Sequence, residues 1–401
     1  HHTLFHFTTG SHLEKEGRDS MNRYKKLLIC ILSSMLLLVG CWDMVEIDRR
    51  LFVGIVGIDT SDEPNKYTFY FSIPIAREII GGEGGGGGGG GESVGLLTTE
   101  AYSLVDAARN LALRINRDIY FEHMRIVVIG EDMARKHLKA ILNPFARQPE
   151  FNRRSRIAIC EGRAEKVMGV TPWTEKLKAE YMESLYAARA MSGKFIEMDL
   201  GDFFRNLNSQ NGNILVSKIT PNKTEVNIGG AGVIKDFKLI GWLNEEETQG
   251  VNFFLGKVRG GDIVVRDIRG EGTETFTILG EKTKLSLKAA EPVPEFLLEV
   301  YVTGNIASTA HYITYYRSKL ESKDIERMEE LISKEIESQI LKGVKKLQED
   351  YKVDLLKLGN FLQKHEPALW KTYEDNWEEI FTQVNIDINV STTIKNIGIL
   401  R

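Results

Sequence analysis

The segment Arg125-Ile126-Val127-Val128-Ile129-Gly130 decides the fold class, because it is a short run of strand-forming apolar residues that ends at a glycine. Such a run predicts a buried strand. Apolar residues recur at helical spacing from Leu104 to Ile115, and a second helix is predicted at 133–142. Residues 155–160 predict another strand. Strands and helices therefore alternate in this part of the chain, which indicates one α+β or α/β domain.

Residues 51–59 and 66–73 predict a β-hairpin, because two runs of strand formers flank a turn-rich segment. A glycine tract follows at 81–91, in which every residue except Glu83 is glycine. Glycines offer no hydrophobic side chain to offset the entropy of ordering the backbone, so we expect a mobile loop there. A phosphate-binding loop is the alternative, but the Lys-Ser or Lys-Thr pair that such a loop usually places at a helix start is missing.

The second half of the chain carries a long amphipathic pattern. Apolar residues repeat at steps of three and four from Ile325 to Leu347, which predicts a helix of about seven turns. Its apolar stripe is more typical of a core-facing surface than of a groove for a partner. The other predicted elements are strands at 225–235, 238–243, 262–267, 274–279, 283–288, 296–305 and 384–390, and helices at 164–168, 173–191, 199–207 and 369–381.

The length of the chain predicts more than one domain. Its 401 residues exceed the roughly 250–300 residues at which a single core usually stops growing. We expect a three-domain α+β architecture, with domains at 41–200, 201–275 and 276–401. Residues 1–20 precede the first methionine and are interpreted as an upstream extension or added cloning sequence, and residues 21–40 as a lipoprotein signal peptide.

The tetrad Leu38-Val39-Gly40-Cys41 predicts a bacterial lipoprotein processing site, or lipobox. It closes an apolar run at 27–39 that follows a basic segment at 21–26, which is the layout of a signal peptide. A membrane-spanning helix needs about 20 apolar residues, and polar residues follow at once at 42–46, so a permanent span is disfavoured. The alternative is that Cys41 is a core cysteine after an ordinary buried helix, which leaves the basic flank and the tetrad as coincidences.

Cys41 supplies the chemistry of an anchor. Its thiol is the nucleophile that takes a diacylglyceryl group as a thioether, and small Gly40 lets a peptidase reach the backbone. After cleavage, Cys41 is the mature amino terminus and can carry an N-acyl chain such as palmitate. Two or more chains give stable anchoring, whereas one chain gives only marginal binding. We therefore expect a protein body that is held at a membrane by lipid.

Composition and motifs exclude several classes of protein. The chain carries 52 basic and 56 acidic residues, a formal net charge of −4, so nothing favours nucleic-acid binding. Cys30 leaves with the signal peptide and Cys41 is acylated, so Cys160 has no partner for an internal disulfide. No zinc-ligand spacing, Gly-x-Ser-x-Gly elbow, P-loop or His-Glu-x-x-His motif occurs. The sequence thus predicts no catalytic residues, no metal site and no cofactor.

Three polar groups have both a functional and a simpler interpretation. Glu245, Glu246 and Glu247 are candidate metal ligands or acid/base carboxylates, but Asn244 before them predicts a helix N-cap with acids in the first turn. His123 is a candidate ligand or base, although a surface or hydrogen-bonded histidine is commoner. The other histidines after Cys41 are His137, His311 and His365. A candidate contact for lipid headgroups, with a solvated loop face as the favoured alternative, is the basic cluster of Arg147, Arg153, Arg154 and Arg156.

The order of several short motifs resembles that of a known family. The motifs are Leu38-Val39-Gly40-Cys41-Trp42-Asp43, Glu46-Ile47, Val56-Gly57-Ile58-Asp59, His123-Met124-Arg125, Ile129-Gly130-Glu131, Gly241-Trp242-Leu243-Asn244-Glu245-Glu246-Glu247-Thr248, and Pro367-Ala368-Leu369-Trp370 through Asn376-Trp377. They are similar to stretches of the spore germination receptor C-subunit lipoproteins, the Ger(x)C family. No single motif is sufficient, but their order and spacing are specific, and together they cover essentially the whole mature chain.

The resemblance implies a three-domain α+β lipoprotein on the outer face of the inner spore membrane. Such a subunit acts with two integral-membrane receptor subunits and is not known as an enzyme, and only the lipidated Cys41 carries over as a functional residue. The alternative hypothesis is a lipid-anchored extracytoplasmic solute-binding protein that captures the germinant itself, which requires a pocket with convergent polar groups. A cell-envelope hydrolase is a third hypothesis, and it requires a clustered acid/base pair.

Overall fold

The computed structural model describes residues 25, 27–29, 50–74, 94–115, 117–147, 151–172, 174–175, 177–266, 273–307 and 322–397. The chain divides into two compact units, His1–Arg50 and Leu51–Arg401. In the first unit, Lys25 and residues 27–29 are helical and exposed. The predicted lipobox at 38–41 and the predicted mobile loop at 81–91 lie outside the described residues.

The described strands of the chain form three sheets. They are β1 (Arg50–Phe52), β2 (Ile55–Thr60), β3 (Tyr67–Pro74), β4 (Val94–Ala101), β5 (Asp118–Tyr120), β6 (Ile126–Gly130), β7 (Arg156–Cys160), β8 (Ile214–Pro221), β9 (Val226–Lys235), β10 (Lys238–Leu243), β11 (Asp262–Arg266), β12 (Thr273–Ala289), β13 (Glu295–Ala307) and β14 (Asn385–Ile397). β1 and β5 pair alone, the eight-stranded sheet has the order β10-β9-β8-β7-β6-β2-β3-β4, and the four-stranded sheet has the order β11-β12-β13-β14. Parallel pairing joins β2, β6, β7 and β8 in the centre of the large sheet, and β13 to β14 in the smaller one.

β6 lies in the middle of the eight-stranded sheet because both of its faces are buried. Val127 and Ile129 pack into one apolar cluster, whereas Ile126 and Val128 pack into the other. β2 and β7 divide their side chains between the two clusters in the same way. Two-sided burial explains why segment 125–130 is continuously apolar, and the predicted buried strand is confirmed. The predicted hairpin is also confirmed, as antiparallel β2 and β3.

The described helices cover the sheets and connect them. They are α1 (Leu104–Ile115), α2 (Glu131–Lys136), α3 (Leu138–Arg147), α4 (Ala164–Gly169), α5 (Lys178–Arg189), α6 (Leu200–Ser209), α7 (Glu245–Phe254), α8 (Ser322–Lys345), α9 (Leu358–His365), α10 (Pro367–Tyr373) and α11 (Trp377–Phe381). A π-helical turn, Lys346–Asp350, extends α8, and a 3-10 turn, Glu374–Asn376, joins α10 to α11. In the part of the chain that the structure describes, no helix combines the length and the apolarity that a membrane span requires.

α8 packs against the four-stranded sheet and against α7. Its neighbours include β14 and β11. In β13, which lies between β12 and β14 in the sheet, every second residue is buried. The buried residues of the apolar stripe are Met328, Ile332, Ile336, Ile340 and Val344 in α8, and Leu347 in the π-helical turn that extends it. The prediction that this stripe faces the core is therefore confirmed.

The structure differs from the predicted elements where local geometry interrupts a sequence pattern. The single helix predicted at 133–142 is wrong: α2 and α3 are separate because His137 leaves helical geometry, with φ −133°. The two strands predicted at 274–279 and 283–288 are one strand, β12, in which a bulge between Ile278 and Gly280 shifts the alternation of side chains. The helix predicted at 369–381 is interrupted by the 3-10 turn between α10 and α11. Strands β4, β5 and β8 and helix α9 are absent from the prediction.

The predicted α+β class is confirmed by the mixed sheets and the helices that cover them. The division into domains at 41–200, 201–275 and 276–401 stays a prediction. Strands β8, β9 and β10 continue the sheet to which β2, β6 and β7 belong. A domain at 201–275 would therefore share a sheet with the domain before it.

Candidate functional site

The carboxyl ends of β2, β6 and β7 meet at one edge of the large sheet and carry polar side chains. Asp59, at this end of β2, is 3% exposed. Its two carboxylate oxygens accept hydrogen bonds from the backbone N–H groups of Ala164, at 2.9 Å, and Glu165, at 3.0 Å. Burial raises the pKa of Asp59 above its ordinary value, although these hydrogen bonds and the charge of Arg163 oppose the shift. Asp59 thus fastens the first turn of α4 to the sheet.

Gly130 makes room for the Asp59 carboxylate. A Cβ atom at position 130 would lie 1.9 Å from Asp59 Oδ1, which is far closer than van der Waals contact. The glycine at the end of β6 and the aspartate at the end of β2 are therefore one steric unit, although 71 positions separate them in the numbering. The resemblance motifs Val56 to Asp59 and Ile129 to Glu131 meet at this point.

Glu131, the residue after β6, connects this edge of the sheet to β10. Its carboxylate accepts hydrogen bonds from Gly162 N–H at 3.0 Å, from the Arg135 guanidinium at 2.7 Å and from Trp242 Nε1 at 3.4 Å. Burial would raise the pKa of Glu131, but hydrogen bonds from Arg135, Gly162 and Trp242 outweigh it, and the pKa is lowered. The ionised carboxylate therefore ties the end of β6 to the loop after β7 and to β10.

Trp242 connects this edge to the end of α8. The Tyr351 hydroxyl accepts a hydrogen bond from Trp242 N–H at 2.9 Å and donates one to Trp242 O at 2.8 Å. Lys218 lies over the indole ring at 5.1 Å and pairs with Glu161 at 2.6 Å. Side chains that are far apart in sequence thus form one network from β2 to the turn after α8, which we call the edge network: Asp59, Gly130, Glu131, Glu161, Lys218, Trp242 and Tyr351.

The chemistry of the edge network favours positioning over reaction. Each of its carboxylates is held by donors from the chain itself. Burial raises the pKa of the neighbouring Cys160 thiol to about 12 and that of the Tyr70 hydroxyl to about 12, so neither is an activated nucleophile near neutral pH. Among the described residues, no cluster of histidine, cysteine and acidic side chains has the makeup of a metal site.

Some of the site residues predicted from sequence lie outside the described residues, and others lie within them. Cys41, with Leu38, Val39 and Gly40, lies outside the described residues, as does His311. The described histidines do not converge: His123 packs on Phe52, His137 packs near Tyr67, and His365 packs on Phe361.

The acidic triplet at the start of α7 is a helix cap, as predicted. The Asn244 side chain accepts a hydrogen bond from Glu247 N–H, and the Glu247 carboxylate accepts one from Asn244 N–H, each at 2.8 Å. Glu246 pairs with Lys342 of α8 at 3.0 Å, and Glu245 lies 3.4 Å from Arg189. The three carboxylates point to three different partners and do not converge on a shared site.

The basic cluster is divided among different environments. Arg156 pairs with Glu197 at 3.2 Å and lies over the Tyr186 ring, whereas Arg154 is exposed. The side chain of Arg147 is not among the described ones. A contact of this cluster with lipid headgroups stays a prediction.

A cavity of about 290 Å³ opens at the opposite edge of the large sheet. Its wall is largely apolar and includes Phe52, Val53 and Leu177, and its polar lining residues include His123 and Arg125. Arg125 also lies 3.5 Å from Glu183. The volume of the cavity lies just below the roughly 300 Å³ at which small-molecule sites begin.

The raised pKa of Glu281, in β12, predicts that the stability of the fold depends on pH. Burial raises its pKa from 4.5 to about 7, against hydrogen bonds from the Thr283 hydroxyl and Val258 N–H. Between pH 4.5 and about 7 the folded chain keeps a proton that the unfolded chain has released, so the free energy of unfolding falls as pH rises through this window. Glu281→Gln is expected to flatten that slope, as measured by urea unfolding at pH 5 and pH 8. Glu337→Gln, on the exposed side of α8, is the control that should keep it.

Two family profiles match the chain in succession. The profile described as Spore germination protein N-terminal domain matches residues 43–221. The profile described as Spore germination B3/GerAC like, C-terminal, matches residues 229–398. Together they begin two residues after the predicted lipidation site and extend through β14.

Individual proteins match over nearly their whole length. The chain is 26% identical over 372 residues to Spore germination protein B3 of Bacillus subtilis (strain 168), covering 91% of this chain and 96% of that protein. It is 23% identical over 395 residues to Spore germination protein KC of the same strain, covering 93% and 96%. The crystal structure of the GerBC protein matches with a TM-score of 0.58 at 20% identity, covering 85% of this chain and 97% of that chain. The structural likeness shows that the two chains share a fold.

Proposed function

The chain belongs to the Ger(x)C family of spore germination proteins, and from that premise we propose that it is the non-enzymatic lipoprotein subunit of a nutrient germinant receptor. The observation that carries the proposal is the pair of family matches over 43–221 and 229–398, directly preceded by the lipobox 38–41. In this proposal Cys41 holds the body at the outer face of the inner spore membrane. Its surfaces contact two integral-membrane subunits, and the assembled receptor triggers germination when a nutrient arrives.

The edge network supports a role in assembly. Its side chains hydrogen-bond to strands and loops of the chain and hold them in position. The Cys160 thiol and the Tyr70 hydroxyl beside it have raised pKa values. A body of this kind offers partners a rigid surface, since a network with satisfied donors and acceptors specifies one arrangement. The proposed subunit thus works by contact.

A solute-binding role is the second candidate, and the 290 Å³ cavity beside Arg125 is the observation that favours it. The cavity lies close to the lower volume limit of small-molecule sites, roughly 300 Å³, and its largely apolar wall includes a few polar residues. Calorimetry of the purified mature chain against amino acids and sugars separates the two roles. Micromolar binding by the isolated chain favours capture of the germinant by this subunit, and lack of binding favours a role through contact with the other subunits.

The proposed receptor role is tested by recovering the chain with its partners. A carboxyl-terminally tagged chain is purified from detergent-solubilised inner membranes of spores, and the co-purifying proteins are identified by mass spectrometry. We expect two multi-spanning membrane proteins in amounts comparable to the tagged chain. An unrelated tagged lipoprotein from the same membrane is the control and should recover neither. Recovery of the tagged chain alone, from membranes that contain the other two proteins, contradicts the proposal.

A further inference from the structure

A second concavity of about 340 Å³ lies between the end of α7, strand β12 and helix α9. We call it the lysine groove. Its apolar lining includes Phe254, Leu285 and Phe361, and its polar lining includes Lys357, Asn360 and Lys364. Phe254 is buried, whereas both lysines and Asn360 are exposed. The groove thus combines an apolar floor with a cationic rim.

The rim carries positive charge without counter-ions from the described part of the chain. Neither Lys357 nor Lys364 has an acidic side chain within ion-pair distance there, in contrast to Lys342, Lys346 and Lys288. Lys257, next to the lining residue Gly256, is close enough to Lys357 for the two charges to repel, and Asp202 offsets this repulsion in part. Like charges gathered around a concavity favour an anionic occupant, because such an occupant relieves their repulsion.

The position of Lys357 is fixed by the side chain of Asp354. Lys357 adopts a left-handed backbone conformation, with φ 65° and ψ 30°, which is unfavourable for a residue with a side chain. Asp354 holds the turn by accepting hydrogen bonds from Leu358 N–H at 3.1 Å, Gly359 N–H at 2.7 Å and Trp377 Nε1 at 2.9 Å. The chain therefore keeps a strained lysine at the rim of the groove where a glycine would fit the backbone more easily.

Glu281, an acid beside the lining residue Thr283, opposes the positive charge of the lysines only in part. Glu281 shares a hydrogen bond of 2.8 Å with the lining residue Thr283. Because burial raises its pKa to about 7, it is about half protonated at neutral pH. The groove therefore keeps its cationic character on the side where Glu281 lies.

We propose that the lysine groove binds an anionic amphiphile, with a phosphate ester at Lys357 and Lys364 and an apolar chain against Phe254, Leu285 and Phe361. A lysine ammonium binds phosphate as a point charge, and the floor supplies the apolar contact that a bare phosphate would not use. The inference rests on the proposed function in one respect: a subunit held at a bilayer meets phospholipids that have this chemistry. The same chemistry is also found in a free phosphate ester with an apolar chain, which is the other possible source of the ligand.

The test uses the mature chain, residues 41–401, with Cys41→Ala, so that no lipid anchor contributes. Its binding to dihexanoylphosphatidylglycerol, below the micelle concentration, is measured by calorimetry. Two reference probes are dihexanoylphosphatidylcholine, which has the same chains without net charge, and hexyl phosphate, a free phosphate ester with an apolar chain. Glycerol 3-phosphate carries the charge without the chain. We expect dihexanoylphosphatidylglycerol to bind at least about tenfold more tightly than dihexanoylphosphatidylcholine and than glycerol 3-phosphate.

Variants locate the binding in the groove. Lys357→Gln with Lys364→Gln is expected to weaken binding of the anionic lipid roughly 10- to 30-fold, since each lysine near a lipid headgroup contributes about a factor of five. Asn360→Trp, an exposed substitution that fills the groove, is expected to weaken it as well. Lys345→Gln with Lys371→Gln, exposed lysines outside the groove, is the matched control and should bind like the parent chain. Melting curves of all variants establish that they are folded.

Each outcome decides the proposal. Preference for the anionic lipid over hexyl phosphate identifies a lipid headgroup as the source, and equal binding of the two identifies a free phosphate ester. Equal binding of the anionic and zwitterionic lipids, or of glycerol 3-phosphate and the anionic lipid, overturns the proposal. So does full binding by the folded Lys357 and Lys364 double variant. The chain in this test carries no anchor, so a failure to bind the anionic lipid would not contradict the proposed receptor role. A failed co-purification would likewise not contradict lipid binding in the lysine groove.

Discussion

Replacing Gly250 with alanine is expected to lower the free energy of unfolding by roughly 2–4 kcal/mol. A Cβ atom at position 250 would lie 1.9 Å from the backbone carbonyl oxygen of Gln339. The obstacle is main chain of α8 and cannot rotate away as a side chain can. In an unobstructed helix the same change is favourable by about 1 kcal/mol, so the contact reverses the usual sign.

The effect is large because α7 is the helix around which the two larger sheets are joined. Every residue from Thr248 to Phe254 is buried, and α7 packs on α8, β9, β10, β12 and β13. The close approach is reciprocal, since a Cβ atom at Gly343 would lie 2.6 Å from the carbonyl oxygen of Glu247. Moving α7 to admit one methyl group therefore disturbs both sheets.

Urea unfolding of the mature chain measures this effect, with Gly169→Ala as the matched control. Gly169 ends α4 and is exposed, and a Cβ atom at this position would meet no heavy atom within 4 Å outside its chain neighbours and the backbone of its own helix. Alanine there should leave stability unchanged or raise it by up to about 1 kcal/mol. Equal unfolding midpoints for the two variants would show that α7 and α8 do not approach as closely as the structure places them.

The burial of α7 also marks where sequence reasoning succeeds and where it fails. The cap at Asn244 is local and is readable from four consecutive residues, so the start of the helix is predictable. The burial of Thr248, Gln249 and Asn252 is not, because polar residues in the middle of a helix indicate an exposed face. Asn252 donates hydrogen bonds to Gly193 O and Phe195 O, and partners this far apart in sequence leave no local pattern.

The same distinction applies to the sheets. Continuous apolar runs such as 125–130 predict central strands because burial on both faces removes the alternation. The parallel pairing of β13 with β14 is not predictable from either strand, since helices α8 to α11 lie between them in the chain. Bulges pose a similar difficulty, and the one after Ile278 divides β12 into two apparent strands.

The candidate sites follow the same division between local and distant signals. The predicted lipobox 38–41 is contiguous, so sequence alone can predict it, whereas the edge network needs contacts across more than a hundred residues. Tyr351 and Asp354 carry no motif of their own, and only their partners Trp242, Leu358 and Gly359 reveal what they do. The glycine at position 130 is the exception: its place at a strand end beside an acidic residue is a signal for close approach of another side chain.

Cys41→Ala is expected to abolish lipid labelling and to lower nutrient-triggered germination sharply, while a non-nutrient trigger still works. The physical reason is that each buried methylene group of an acyl chain contributes about 0.8 kcal/mol to membrane binding. Loss of two or more long chains therefore changes retention by many orders of magnitude, whereas a few surface lysines contribute about 1 kcal/mol each. The lysine groove could orient the body at a bilayer but could not replace the anchor.

Cys160→Ala is the matched control for this substitution, because it removes the other cysteine of the mature chain. Cys160 is buried at the end of β7, and its thiol donates only weak hydrogen bonds to Glu161 O and Arg163 O, at 3.4 and 3.3 Å. Alanine there should cost some stability but leave lipid labelling and germination intact. Metabolic labelling with palmitate, membrane fractionation and germination assays on both variants separate loss of the anchor from loss of the fold. A Cys41→Ala chain that fractionates with membranes and germinates normally would show that contacts of the body with its partners, and not the lipid, retain this subunit.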